Sequence, residues 1–128
     1  MKKDLENRAD IELLVNSFYD KIRDNDTLGY IFDEVAKVNW EKHLPKMYNF
    51  WEMILFNKDG YEGHPLRPHL VINNQHPLNL EHFNTWLKLF EATVNEHFEG
   101  EKATEIKSRA KNVALSWAFK IHHFNQPA

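Results

Sequence analysis

The chain has 128 residues, a formal net charge of −3 and no cysteine. That length suits a single domain over residues 1–128, burying roughly two thirds of the surface of its unfolded chain. Charges of both signs are mixed along the sequence, which argues against nucleic acid as a partner, and the lack of cysteine excludes disulfides, thiol catalysis and Cys-based zinc sites.

The N-terminus, Met1-Lys2-Lys3-Asp4-Leu5-Glu6-Asn7, is basic for two residues and then acidic, with no apolar run behind it. No signal peptide is therefore expected, and no stretch approaches the ~20 apolar residues that cross a bilayer. A soluble cytoplasmic protein without membrane contact is expected, in keeping with the absence of cysteine. The first helix is marked by Ile11, Leu14, Val15, Phe18 and Ile22, which share one face at helical spacing. Asn7 followed by Asp10 has the form of a capping pair. The pattern breaks at Asp24-Asn25-Asp26, after which Leu28, Gly29, Ile31 and Phe32 suggest a short helical turn.

A second long helix carries Trp40, His43, Leu44, Met47, Phe50, Trp51, Ile54 and Leu55, an apolar set interrupted only by His43. Pro45 requires either that the helix start near Lys42 or that it kink close to His43. From Asn57 to Leu78 the periodicity gives way to Gly60, Gly63, Pro65, Pro68, Asn73-Asn74 and Pro77, a segment long enough to suggest function. Two further helices are predicted. Phe83, Trp86, Leu87, Phe90, Val94 and Phe98 line one; Ala103, Ile106, Ala110, Val113, Ala114, Trp117 and Ile121 line the other, after Gly100. No alternating strand pattern of useful length is present, so the fold class is all-α.

The chemistry concentrates at His43 and His69. An imidazole among large apolar side chains needs a partner for its ring nitrogens, and a metal is one such partner. Taken alone, each has a simpler reading: His43 as a hydrogen-bonded core residue, His69 as a surface residue in a Pro-rich loop. Together, on separate elements around an interior supplied with nine Phe, four Trp and four Tyr, they suggest a buried planar metal cofactor. Zinc is the competing metal, but the eight histidines include no H-E-x-x-H. Tyr19 and Trp86 each read as packing aromatics, yet both carry a polar hydrogen that seeks a partner when buried.

The order and spacing of Phe18-Tyr19, Leu28-Gly29 through Phe32, Trp40-x-x-His43 and Asn49-Phe50-Trp51 resemble the truncated haemoglobins, and within them group III. The resemblance continues through Tyr61-x-Gly63-x-Pro65-Leu66-x-x-His69-Leu70 and Phe83-x-x-Trp86-Leu87-x-Leu89-Phe90, and so spans about Ile11 to Phe124. It implies a two-over-two helical globin sandwich around haem b, which without cysteine would be held non-covalently. By the same resemblance His69 is the proximal iron ligand, and Tyr19, His43 and Trp86 face the bound gas. Phe32 packs on the haem face, Phe50, Trp51 and Leu66 line the pocket, and Arg67 pairs with a propionate. Pro45 and Pro68 are local departures beside the two imidazoles.

The function so implied is binding of O2, NO or CO for retention or redox chemistry, such as NO detoxification, rather than bulk transport. Peroxide reduction, a haem-based sensor and a haem-free helical interaction protein are the alternatives. A monomer served by an unidentified reductase is expected.

Overall fold

The computed structural model describes residues 2–57 and 78–124. Helix α1, Arg8–Asp24, forms on the predicted stripe, and Ile11, Leu14, Val15, Phe18 and Ile22 are all fully buried. Its N-terminus is capped as the sequence suggests: the Asn7 side chain accepts from the Asp10 N–H at 3.2 Å. The returning arm is displaced by one residue. Asp10 Oδ2 accepts from the Glu6 N–H at 2.8 Å and from Lys3 Nζ at 2.9 Å.

Asn25 ends α1 and starts α2, Asp26–Tyr30, without a loop. Its side chain accepts from the N–H groups of Thr27 and Leu28 at 3.1 and 2.9 Å. Here α2 folds back so closely that a Cβ on Gly29 would lie 2.5 Å from the Arg23 carbonyl oxygen, so the backbone passes only because position 29 has no side chain. The chain then widens into a π-helical turn, Ile31–Val35, closed by the Ala36 N–H donating to the Ile31 carbonyl at 2.8 Å. A short turn of helix is expected from the sequence; its π geometry is not.

Helix α3, Trp40–Phe56, begins two residues before Lys42, so Pro45 lies just beyond the proline-tolerant first turn. The missing Pro45 N–H deprives the Glu41 carbonyl of its helical donor, and Glu41 is exposed, where water can replace it. Asn57 closes α3 in the left-handed region at φ 57°, a conformation asparagine tolerates.

Helix α4, Leu80–His97, opens on a reciprocal cap: the His82 N–H donates to Asn79 Oδ1, and the Asn79 N–H donates to His82 Nδ1, both at 3.1 Å. Helix α5, Glu101–Phe124, borrows its cap from the other end of the chain. Asp4 accepts from the N–H groups of Lys102 and Ala103 at 2.9 and 2.8 Å. A single parallel bridge, Lys3 to Phe98, holds that segment in place, and Gly100 leaves room for the Asp4 carboxylate at φ 143°.

The pair α1/α3 lies over the pair α4/α5, with α1 against α4 and α3 against α5. Among the described residues the architecture is the all-α two-over-two sandwich expected from the sequence. Trp51, Phe18, Phe90, Ile106 and Ile121 belong to its buried core, each with at most 2 % of its surface accessible. No described helix is long and apolar enough to cross a membrane.

Candidate functional site

The site forms where α1, the π-turn and α3 meet. Phe18 and Tyr19 are successive on α1, so they diverge by about 100° around the helix. Phe18 enters the core and Tyr19 turns towards α3. The Tyr19 ring lies 5.2 Å from His43, 5.3 Å from Trp40 and 5.9 Å from Phe32, centroid to centroid. Trp40 and His43, one helical turn apart on α3, meet edge to face at 5.6 Å. Phe32, delivered by the π-turn, stacks on Trp40 at 5.8 Å and meets His43 at 6.3 Å. Burial pushes the Tyr19 phenol well above its ordinary range, because a phenolate in this apolar setting would lose its hydration. Tyr19 is therefore a neutral hydroxyl donor at physiological pH.

A second aromatic group occupies the interface of α3 and α4. Trp51, Trp86 and Phe90 are stacked, with Trp51–Phe90 at 4.8 Å, Trp86–Phe90 at 5.6 Å and Trp51–Trp86 at 6.4 Å. Phe50 packs edge-on against Trp51 at 5.1 Å. Phe18 joins the two groups, touching Tyr19 at 5.0 Å on one side and Trp86 and Phe90 at 5.5 and 5.1 Å on the other. The structure thus gathers Tyr19, Phe32 and His43 directly, and brings Trp86, Phe50 and Trp51 to them through one ring. His69, Leu66 and Arg67 lie outside the described residues.

Three residues at the site have roles that the sequence reading does not assign. The Trp40 indole N–H donates to Asp33 Oδ1 at 3.1 Å, and the Arg23 guanidinium lies 5.0 Å above the Trp40 ring. Arg23 Nε also approaches Asp33 Oδ2 at 3.7 Å. The signal that could have found this trio is the rule applied to Tyr19 and Trp86: an indole set among apolar rings needs an acceptor. Farther along α3, Arg8 Nη1 donates to Asn49 Oδ1 at 2.7 Å and Glu52 Oε1 at 3.0 Å. Asn49 thereby ties the middle of α3 to the start of α1. A cleft of about 350 Å³, lined by Asn16, Tyr19, Asp20, Arg23, Trp40, Leu44 and Tyr48, reaches this region from outside.

The donor set fits a flat apolar macrocycle that carries a polar ligand at its centre. Rings provide the walls, Tyr19 provides a hydroxyl that burial keeps protonated in the neutral range, and His43 brings a buried Nε2. Fold and site together define a globin reduced to two helix pairs.

The comparisons agree. The family model for bacterial-like globins matches residues 5–119. The group 3 truncated haemoglobin ctb of Campylobacter jejuni is 35 % identical over 127 residues, covering 97 % of this chain and 98 % of that protein. The crystal structure of group III truncated haemoglobin from Campylobacter jejuni superposes with a TM-score of 0.84 at 32 % identity, covering 99 % of this chain and all of that one. The chain belongs to the bacterial-like globins, in the group III truncated haemoglobin branch. Its class is that of haem proteins that bind gas ligands such as O2.

Proposed function

We propose that residues 1–128 form one domain that holds haem b without a covalent link, with His69 as the iron ligand. In this reading Leu66, Phe32, Phe50, Trp51 and Trp86 contact the macrocycle and Arg67 pairs with a propionate. Haem held by one imidazole supplies an iron with an open coordination position for O2, CO or NO. The chain's own residues decide how long a gas stays and what it meets. Tyr19 donates a hydrogen bond to a polar diatomic, Trp86 adds an indole donor, and the aromatic rings exclude water. The observation that carries this reading is the convergence of the Tyr19, Phe32 and His43 rings within 5.2–6.3 Å of one another.

A hydrogen bond to a partly charged partner contributes about 1.5–3 kcal/mol, which corresponds to roughly 10- to 100-fold slower escape of the gas. Two such donors favour retention over delivery. The role is accordingly retention or redox chemistry of the gas, with NO detoxification as the leading case. A peroxidase-like reading is supported by one specific feature: His43 stands edge to face with the Tyr19 ring at 5.2 Å, and an imidazole there is a group that can hold or pass a proton. Either reaction requires a reductase as partner. The protein is expected to act as a monomer in the cytoplasm. Stopped-flow O2 dissociation tests the reading: Tyr19→Phe and Trp86→Phe should each accelerate it, and rates unchanged in both variants would refute the donor role.

A further inference from the structure

The trio Arg23, Asp33 and Trp40 lies beside the gas-facing residues, and the function proposed above does not use it. Trp40 touches each of the other three rings at the mouth of the site: it stacks on Phe32 and meets both Tyr19 and His43. Its one polar atom is held by Asp33 at 3.1 Å. Asp33 in turn sits on the π-turn, next to Phe32, so one distorted turn delivers both a wall of the pocket and the acceptor that fixes its neighbour. Such turns are energetically poor and tend to persist where a function keeps them. On the outer side, the cleft that reaches Tyr19 from solvent is bounded by Trp40 and Arg23.

We propose that Asp33 is a positioning residue: by accepting the Trp40 indole hydrogen bond it holds Trp40 against His43, and so sets where the His43 imidazole stands relative to Tyr19. The inference rests on the gas-binding reading above. The acceptor atom matters more than the charge. The Arg23–Asp33 pair is 3.7 Å long, with both side chains more than a third exposed, a geometry in which ion pairs contribute little. Asparagine at position 33 offers the same Oδ1 acceptor, whereas alanine offers none.

The test uses the ferrous haem-loaded protein in three measurements. In the diamagnetic CO form, the NMR shifts of the His43 ring protons report its seat among three aromatic rings, and hydrogen exchange of the Trp40 indole N–H reports the bond itself. Stopped-flow O2 dissociation reports the consequence. Asp33→Ala and Trp40→Phe should both displace the His43 signals and change O2 dissociation by about 3- to 10-fold, the range of one ordinary hydrogen bond. Asp33→Ala should also speed indole exchange, and Asp33→Asn should restore wild-type values in all three readouts. The proposal is overturned if Asp33→Ala leaves the His43 signals in place, or if Asp33→Asn behaves like Asp33→Ala. Tyr19→Phe, run alongside, separates the two ideas. If it and Trp86→Phe both leave dissociation unchanged, the donor reading fails, while the His43 shifts still decide the role of Asp33.

Discussion

Tyr19 differs from the other buried aromatics in carrying a hydroxyl that its surroundings keep protonated. Its raised pKa means the hydrogen-bonding form is present throughout the neutral range, with no proton lost until well into alkali. O2 dissociation controlled by Tyr19 should therefore be flat between about pH 6 and 9, and a step in that window would point to another group. Tyr19→Phe should accelerate dissociation by roughly 10- to 100-fold while leaving the urea midpoint almost unchanged, since only one oxygen is removed. At this scale the sequence was informative where a residue type was unusual for its place. His43 interrupts an apolar stripe, and Tyr19 follows the one phenylalanine of α1. Asp33 gave no such sign, because an aspartate between helices is ordinary until the indole it serves is seen.

Individual elements show the same division. The faces of α1, α3, α4 and α5 were legible because the apolar residues of each recur at the helical period. The cap of α5 was not, since its carboxylate comes from Asp4, 98 residues before Lys102, and no local pattern records that pairing. Burial raises the Asp4 carboxyl, but N–H donors from Lys102, Ala103 and Leu5 outweigh it and hold the group below its ordinary value of 3.8. A depressed carboxyl stabilises the fold above its unfolded pKa and loses that contribution as pH falls through the folded value. Asp4→Ala should cost about 1 kcal/mol at pH 7, as lost N-caps do. Urea titrations of the two proteins should converge as pH drops below 3.8, and a gap that persists in acid would contradict the assignment. Gly100→Ala should destabilise by about 1–3 kcal/mol, because position 100 holds φ 143° and its new Cβ would meet the Asp4 carboxyl group. The π-turn also escaped the sequence reading; nothing in Ile31-Phe32-Asp33-Glu34-Val35 distinguishes it from an ordinary turn of helix.

For the whole molecule, Phe18 is the joint. It touches the Tyr19 group and the Trp86 group at once and is fully buried at the crossing of α1 and α4. Phe18→Ala should cost about 3–5 kcal/mol by thermal or urea unfolding, the range for a large core ring. A loss below 1 kcal/mol would mean that the two aromatic groups pack independently. The two-over-two arrangement was legible only through the family resemblance, since helical periodicity identifies faces and not which faces meet. The Tyr19, Phe32 and His43 group is set in a folded framework. The proposed iron ligand, His69, lies outside the described residues. Hemin titration of the wild-type protein and of His69→Ala, followed at the Soret band, therefore tests the account most directly. The wild-type chain should take up one hemin per molecule with a spectrum typical of imidazole ligation, and His69→Ala should lose that spectrum. An unaltered spectrum in His69→Ala, or no stoichiometric uptake by the wild-type chain, would contradict it.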